Sequence, residues 1–400
     1  MPWWAVLTAP LRVLGGPDGP KLIVLTLFIL FIGGSFAVLD RGGVLPALLA
    51  RLAARYEDRR RRLLLVNVVA FALIGSTLGI LEEIVPLILL YVPLARRFGW
   101  DPRVGMAIPF LSAGMGFSAA TFNPFTVGTA QKLAGLPLFS GLGLRLAFLV
   151  VTITLVALFL LWRTRGDHAA AAPEALTPPP LARPRATLAW LAGGLALVLA
   201  IVLAGTRVEA LQALAFPLIG LVFVAMGIGG GLIAGVAPRR VFGDFTRGLA
   251  AFAPAVALIL LAGSVGLLIS EAGVMATLVA RLAALVDGWS QSAAAVAIYL
   301  SQMLVNLAVP SGTGQAVLTI PVLAPLGDLI GLSRQTIVLA FQCGDGFSNM
   351  LWPTNPMLLI ALGLARVSWR DWFVWVLPLQ LALAAASVGV LLVAVAIGYH

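Results

Sequence analysis

Residues 114–126 read GMGFSAATFNPFT and lie inside a run of the chain that is otherwise apolar. Within them Asn123 precedes Pro124. Proline lacks the N–H that a continuous helix uses and disfavours helix at the residue before it. Residues 342–356 read QCGDGFSNMLWPTNP and repeat this Asn-Pro step at 355–356. Helices interrupted inside apolar runs predict a membrane protein whose irregular backbone lines a binding site. The alternative is a plain proline kink in each helix.

The composition places these interruptions in a membrane. Of 400 residues, 61% are hydrophobic and 10% are charged, whereas soluble domains carry about 25% charged residues. The apolar runs do not alternate polar and apolar residues as the strands of a membrane barrel do, so we predict an all-α polytopic membrane protein. Runs that reach or approach the ~20 residues of a spanning helix lie at 22–39, 146–162, 188–206, 211–236, 248–270 and 374–398.

Charge and cysteine content narrow the class of protein. The formal net charge is +10, but the bases lie in short loops between apolar runs, where membrane proteins collect them. We therefore expect a lipid bilayer and a small-molecule substrate as partners, and no nucleic acid. Cys343 is the single cysteine, and His168 and His400 are the only histidines. These counts argue against a disulfide within the chain and against a metal centre built from cysteine or histidine.

The two halves of the chain repeat each other at a separation of 229 to 232 residues. Gly-Ser at 34–35 recurs at 263–264, Gly-Phe-Ser at 116–118 recurs at 346–348, and Asn-Pro at 123–124 recurs at 355–356. Such a constant offset predicts two structural repeats joined by the Pro- and Ala-rich linker. The predicted parts are an interfacial N-terminal segment at 1–20, which includes Trp3 and Trp4; a first repeat at 21–162 with a hairpin at 63–95 and a broken helix at 104–131; a linker at 163–187; scaffold spans at 188–247; and a second repeat at 248–400 with a hairpin at 290–327 and a broken helix at 335–365.

The arginines predict how these parts are oriented. If the basic stretch 41–62 is cytoplasmic, the apolar block 63–95 must enter the membrane and return, because Arg96 and Arg97 follow it. Continued along the chain, this count leaves the linker in the cytoplasm and the C-terminus outside, and it makes the repeats inverted. Inverted repeats with interrupted helices are the architecture of secondary carriers, here in the cell inner membrane. Seven of the 26 basic residues then lie outside: Arg12, Lys21, Lys132, Arg145, Arg207, Arg281 and Arg334.

Polar residues within apolar runs are costly and mark candidate sites. Here they gather at two hairpin tips and two helix breaks. The intramembrane charges are acidic, at Glu82, Glu83 and Asp345, and no basic residue lies inside a predicted span. We therefore expect a proton, a cation or a cationic substrate group there, although one glutamate can instead cap the broken helix while the other reaches the interface. The predicted substrate or ion site comprises Ser76, Thr77, Glu82, Glu83, Ser118, Thr121, Asn123, Thr126, Asn306, Ser311, Thr313, Gln315, Asp345, Ser348, Asn349, Thr354 and Asn355. The predicted helix-break residues are Gly116, Pro124, Gly346, Pro353 and Pro356, and a Na⁺ ligand set is predicted at Ser118, Asn123, Ser348 and Asn355.

Over residues 20–395 the sequence resembles the YfcC family of the C4-dicarboxylate anaerobic carrier (DcuC-like) group in the ion transporter superfamily. Four stretches carry the resemblance: GSTLG at 75–79 with Glu82-Glu83, TFNPF at 121–125, PSGTGQA at 310–316, and residues 342–349. The resemblance implies a homodimer with an elevator-like motion and coupling to Na⁺ or H⁺. Related sodium–carboxylate carriers have Ser-Asn-Thr at the hairpin tips, and this chain lacks the asparagine.

The resulting expectation is a secondary active transporter, a symporter or an exchanger. Its substrate would be a small carboxylate-bearing metabolite, either a C4-dicarboxylate or an amino acid. Arginine/ornithine exchange by a basic amino acid antiporter is the nearest alternative. A channel and a structural membrane subunit are more remote. An intramembrane aspartyl protease is also remote, because the first glycine of its Gly-x-Gly-Asp motif is absent before Asp345 and no second aspartate lies at depth.

Overall fold

The computed structural model describes residues 4–16, 19–165, 181–205, 209–273, 277, 281 and 288–400. Every regular element within these ranges is helical, which confirms the all-α prediction. Residues 166–180 of the predicted linker, Trp3, and most of the second-repeat stretch 274–287 lie outside the described residues. Six described helices are long and apolar enough to cross a membrane: Leu22–Arg41, Arg60–Leu78, Leu142–Arg163, Gln291–Ala308, Gly312–Ile330 and Trp369–Ala396.

The N-terminal part and the helices after the linker pack together. Helix Gly19–Arg41 contacts helices Glu209–Ile233 and Pro238–Ala251. A Cβ added at Gly227 would lie 2.5 Å from Cα of Ser35, so these backbones approach as closely as small residues allow. The remaining helices of this part are Trp4–Arg12, Val44–Tyr56, Pro184–Gly205 and Ala253–Glu271, the last of which binds the first through Arg12 and Glu271.

The described residues include two helical hairpins. The first hairpin consists of Arg60–Leu78, a short 3₁₀ turn at Glu82–Leu87, and Ile88–Arg97. Its limbs are antiparallel, because Tyr91 donates to Oδ1 of Asn67 while Arg60, earlier in the first limb, donates to the carbonyl of Phe98, just after the second limb, at 3.1 Å. The first limb ends at Leu78, and the chain turns at Gly79, whose φ is +69°. The second hairpin consists of Gln291–Ala308 and Gly312–Ile330.

Each hairpin is followed by a broken helix. The first broken helix is helical over 102–118, irregular over 119–123, and helical again over 124–133, with π-helical turns at Ala107–Leu111 and Pro124–Gly128. The second broken helix consists of Arg334–Ser348 and Pro356–Ala365, separated by the irregular residues 349–355. π-Turns of this kind occur frequently at functional sites.

The helix-break prediction needs one correction. Helices run through Gly116 and Gly346 without interruption, and the breaks lie several residues further on. These glycines serve close packing instead: a Cβ at Gly116 would lie 1.9 Å from the carbonyl oxygen of Ala72, and one at Gly346 would lie 2.6 Å from Cα of Ser118. Pro353 lies in the second irregular segment, and Pro124 and Pro356 begin the helices that follow the breaks. Whether the two halves are related by inversion stays a prediction.

Candidate functional site

An asparagine begins the helix after each break. Oδ1 of Asn123 accepts hydrogen bonds from the backbone N–H groups of Phe125 at 2.8 Å and Thr126 at 3.4 Å. Oδ1 of Asn355 accepts from the N–H of Met357 at 2.9 Å. Asparagine is a favoured N-cap and proline a favoured first helical residue, so the Asn-Pro step that ends one helix also begins the next.

The first hairpin holds the first break in place. Oγ of Ser76 accepts from the backbone N–H of Thr121 at 3.1 Å, is within 3.1 Å of the Thr121 hydroxyl, and donates to the carbonyl of Ala119 at 3.2 Å. These contacts satisfy backbone groups that the missing helical turn leaves unpaired. Thr77, by contrast, is partly exposed, and its hydroxyl donates to the carbonyl of Leu73 on its own helix.

The second hairpin does the same for the second break. Nδ2 of Asn306 donates to the carbonyl of Asp345 at 2.9 Å, to Oγ of Ser348 at 2.8 Å and to Oδ1 of Asn349 at 3.1 Å. Nδ2 of Asn355 also donates to Oδ1 of Asn349, at 2.8 Å. Five predicted site residues from the hairpin and the broken helix thus form one buried hydrogen-bond network.

The tip of the second hairpin joins the two halves of the chain. Ser311 caps its second helix through the N–H of Gly314, and the Thr313 hydroxyl donates to the carbonyl of Phe125 in the first broken helix at 2.8 Å. A Cβ built at Gly312 would lie 2.6 Å from Cγ2 of Thr126 and 3.0 Å from Oδ2 of Asp345. The carboxylate of the second broken helix, the hairpin tip and the helix after the first break therefore meet at one place.

Several polar atoms at this place are buried without a hydrogen-bond partner. Buried polar groups are nearly always paired, and an unpaired carboxylate is among the most costly to bury. Both carboxylate oxygens of Asp345 are unpaired. The other unpaired atoms on the hairpins and broken helices are Nδ2 of Asn123, Oγ1 of Thr126, Oδ1 of Asn306, Oε1 of Gln315 and Oγ1 of Thr354. The carboxylate and amide oxygens among them are acceptors for a cation or proton, the two threonine hydroxyls can donate or accept, and Nδ2 of Asn123 is a donor.

The four residues predicted to ligate Na⁺ are engaged elsewhere. The hydroxyls of Ser118 and Ser348 donate to the carbonyls of Gly114 and Gly344 on their own helices, at 2.7 and 2.6 Å. Oδ1 of Asn123 and of Asn355 caps a helix, as described above. The described residues contain no group of three or more histidine, cysteine, aspartate or glutamate side chains arranged for a metal. The hard, uncommitted oxygens that suit Na⁺ belong instead to Asp345, Thr126 and Asn306, so Na⁺ binding by the original four stays a prediction.

Glu82 and Glu83 lie apart from this cluster. They begin the short 3₁₀ turn of the first hairpin and are partly exposed. Neither bonds Asp345, since the oxygens of that carboxylate have no partner. The nearest link is Gly79, where an added Cβ would lie 2.4 Å from Oδ1 of Asn123. The three acids predicted within the membrane therefore form two groups: Asp345 in the cluster, and Glu82 with Glu83 outside it.

Sequence reasoning missed a buried arginine. Arg145 was counted among the outside bases, but helix Leu142–Arg163 starts before it, and the residue is 1% exposed. Nη1 of Arg145 donates to Oε1 of Gln342, whose Nε2 donates to the carbonyls of Ser118 at 2.8 Å and Ala120 at 3.2 Å. The available signal was spacing, because Arg145 lies on the same helical face as the buried Phe148, Leu149 and Thr152.

A second glutamine was also missed. Oε1 of Gln302, in the second hairpin, accepts from Nε2 of Gln315 at 2.9 Å and from the Thr319 hydroxyl at 3.0 Å. All three side chains are buried. These bonds tie the two limbs of the hairpin together below its tip and hold Gln315 in place.

The family model of the C4-dicarboxylate anaerobic carriers (DcuC) matches residues 21–396 of the chain. The chain belongs to the C4-dicarboxylate anaerobic carrier family. It is 32% identical, over 94% of its length and 78% of the relative's, to the putative basic amino acid antiporter YfcC of Escherichia coli K12. A protein of Haemophilus influenzae is 27% identical over 88% of this chain and 72% of its own length. The resemblance inferred from the motifs is thereby confirmed.

A solved transporter shares the fold of this C4-dicarboxylate anaerobic carrier family member. The YdaH transporter of Alcanivorax borkumensis superposes with a TM-score of 0.51 at 21% identity, over 96% of this chain and 90% of its own. Membership of the C4-dicarboxylate anaerobic carrier family and six candidate spans make the protein a multi-pass membrane transporter and not an enzyme. The alternative of an intramembrane protease is therefore dropped.

Proposed function

We propose that this protein is a secondary active transporter of a small carboxylate-bearing metabolite, a C4-dicarboxylate or an amino acid, driven by Na⁺ or H⁺ as a symporter or an exchanger. The observation that carries the proposal is the Asp345 carboxylate, buried and unpaired where the second hairpin tip meets both broken helices. An intramembrane acid without a partner marks a proton, ion or substrate pathway. The family's description as C4-dicarboxylate carriers supports the class of substrate.

Basic amino acid antiport, such as arginine/ornithine exchange, is the second candidate. Two observations favour it over dicarboxylate transport. The relative with 32% identity is named a putative basic amino acid antiporter. Asp345 and most of the unpaired atoms around it are acceptors, which suit a cationic group better than a second carboxylate.

We base the proposed transport movement on the two hairpins and the broken helices that follow them. We propose that the protein is a homodimer in the cell inner membrane, with the linker cytoplasmic and the C-terminus outside. In each protomer, the hairpins and broken helices, with helices Leu142–Arg163 and Trp369–Ala396 that pack against them, would move as one body past the remaining helices, in the manner of an elevator. The hydrogen bonds of Ser76 and Asn306 to the two breaks are consistent with each hairpin moving together with its broken helix. A channel would need no such paired arrangement.

Transport is tested in proteoliposomes with labelled arginine, ornithine, succinate and malate under imposed Na⁺ or proton gradients. We expect gradient-driven, saturable uptake of one class, and Asp345→Asn reduces it at least about tenfold by removing the central charge. Asp328→Asn is the matched control, because that carboxylate is exposed and pairs with Arg334 outside the cluster. Uptake of none of the four solutes, or a non-saturable flux, would contradict the proposal.

The same uptake assay tests the role of Glu82 and Glu83 separately from that of Asp345. If Glu82 and Glu83 form a cation site, Glu82→Gln and Glu83→Gln lower uptake together with its dependence on the imposed gradient. Succinate uptake that is unaffected by both changes would remove the pair from the mechanism. Counterflow, in which unlabelled arginine inside the vesicles accelerates entry of labelled ornithine, distinguishes exchange from symport.

A further inference from the structure

Arg145 is a buried cation whose hydrogen bonding is incomplete. The side chain is 1% exposed, its Nη1 donates to Gln342, and the hydroxyl of Tyr399 and the thiol of Cys343 lie near the guanidinium. Nε and Nη2 are buried without a hydrogen bond of good geometry. A guanidinium keeps its charge in proteins and has five N–H donors in a fixed plane. Nε and Nη2 lie on the same edge of that plane and direct parallel N–H groups outward. This edge matches the two oxygens of a carboxylate in a bidentate pair.

No protein carboxylate neutralises this charge in the part of the chain that the structure describes. The ion pairs found there join other arginines, at positions 12, 41, 103, 240, 247 and 334, to aspartates and a glutamate. Burying a cation is strongly unfavourable unless an anion compensates it. The missing anion must then come from outside the described residues.

The guanidinium is one side chain away from the central cluster. Gln342 accepts from Arg145 and donates to the carbonyls of Ser118 and Ala120 at the first break. Three residues further along the same helix is Asp345, and side chains three apart are neighbours on a helix surface. A buried cation and a buried anion thus flank the first break without pairing with each other.

We propose that the Nε–Nη2 edge of Arg145 binds a carboxylate of the transported solute, while Asp345 faces the opposite, cationic or protonated end of the same molecule. This rests on the proposed transport function and deepens it, because it assigns the carboxylate-binding residue. Two unpaired charges of opposite sign suit a solute that carries both, an α-amino acid, better than a dianion. The alternative is a structural arginine that only orients Gln342.

The test measures the preference for a carboxylate over an amide. Purified full-length protein in detergent is titrated with L-arginine and L-argininamide, and with succinate and succinamide. We expect the unchanged protein to bind the preferred carboxylate about 30-fold or more tightly than its amide, the loss typical of an unpaired buried charge. In Arg145→Gln, we expect the affinities for the carboxylate and for its amide to differ by no more than about threefold. The preference of Arg145→Lys lies between these values, because an ammonium keeps the charge but not the planar edge. Arg334→Gln, which removes an exposed arginine, keeps the full preference.

A second variant covers the case in which Arg145→Gln does not fold. Gln342→Glu supplies the guanidinium with an internal carboxylate, so we expect loss of carboxylate binding; its melting temperature shows that it folds without the two hydrogen bonds that Nε2 donates to Ser118 and Ala120. A folded Arg145→Gln or Gln342→Glu protein that still prefers the carboxylate would overturn the assignment of Arg145 and leave transport standing. An unchanged protein that neither binds nor takes up any of the four probes would overturn the transport proposal and the assignment with it.

Discussion

At the scale of single residues, Asp345 lies in an unfavourable environment for a carboxylate. Both oxygens of its carboxylate are buried and unpaired. The side-chain amide of Asn306 donates instead to the backbone carbonyl of Asp345 and to the hydroxyl of Ser348. Neighbouring groups thus hold the helix end in place without neutralising the charge. Proteins keep such unfavourable arrangements where function needs them, at the expense of stability.

Asp345→Asn is therefore expected to raise the stability of the purified protein while it lowers transport. The amide has nearly the same shape, and it removes an uncompensated buried charge, a change worth about 1–4 kcal/mol when buried ionic groups are replaced by neutral ones. The change in stability is measured as the melting temperature of the protein in detergent. Asp328→Asn serves as the comparison, since loss of its exposed pair with Arg334 changes stability by less than about 1 kcal/mol. A lower melting temperature for Asp345→Asn would show that the carboxylate has a partner.

At the scale of the elements, glycine sets how closely the first hairpin and first broken helix pack. A Cβ at Gly116 would lie 1.9 Å from the carbonyl oxygen of Ala72, and one at Gly75 would lie 2.1 Å from the carbonyl oxygen of Ala113. Neither contact is with a flexible side chain, so backbone would have to move. This packing keeps Ser76 within hydrogen-bond distance of Thr121 at the break.

Gly116→Ala is expected to destabilise the protein and to lower uptake, because separating the helices also pulls Ser76 away from the break. Overpacking of this kind costs about 1–3 kcal/mol. Gly363→Ala is the matched control: it is also helical, and nothing lies within 4 Å of its added Cβ. That change should leave stability unchanged or raise it by up to ~1 kcal/mol through helix propensity. Melting temperatures and arginine or succinate uptake of the two variants are compared, and equal behaviour would refute the packing argument.

At the scale of the whole molecule, the candidate site exists only because elements from both halves meet. The second hairpin tip contacts the first broken helix through Thr313 and the carbonyl of Phe125, and through Gly312 and Thr126. A solute or ion that reaches Asp345 by this route must displace the tip, because the carboxylate is fully buried. Motion of the hairpin tip is thus a requirement of the proposed function.

A disulfide between Gly312→Cys and Thr126→Cys should stop transport reversibly. The Cβ of residue 312 would lie 2.6 Å from Cγ2 of Thr126, a separation within reach of a disulfide. Uptake of labelled arginine and succinate is measured after oxidation and again after reduction. We expect oxidation to abolish the uptake that the reduced double variant retains, whereas the uptake of each single variant is insensitive to oxidant, since the native Cys343 is buried. Full uptake by the cross-linked protein would show that the tip need not move.

The sequence by itself determined the class of fold and the positions of the breaks. The hydropathy of a helix indicates whether it lies in lipid, and proline cannot donate a backbone hydrogen bond at any position. Both properties depend only on the local sequence. The Asn-Pro steps at 123–124 and 355–356 begin helices as those rules require. The first hairpin turns at Gly79, because glycine adopts the positive φ that ends a helix there.

Only the tertiary structure decided which polar groups are paired and which are left for a ligand. Ser118 and Ser348 read as ion ligands in the sequence, yet they bond their own helices, while Thr126 and Asp345 converge with their oxygens unpaired. Arg145 read as an outside base and proved to be buried beside Gln342. Pairing and burial depend on how helices nearly 200 residues apart in the chain rotate against one another, and no local pattern encodes that rotation.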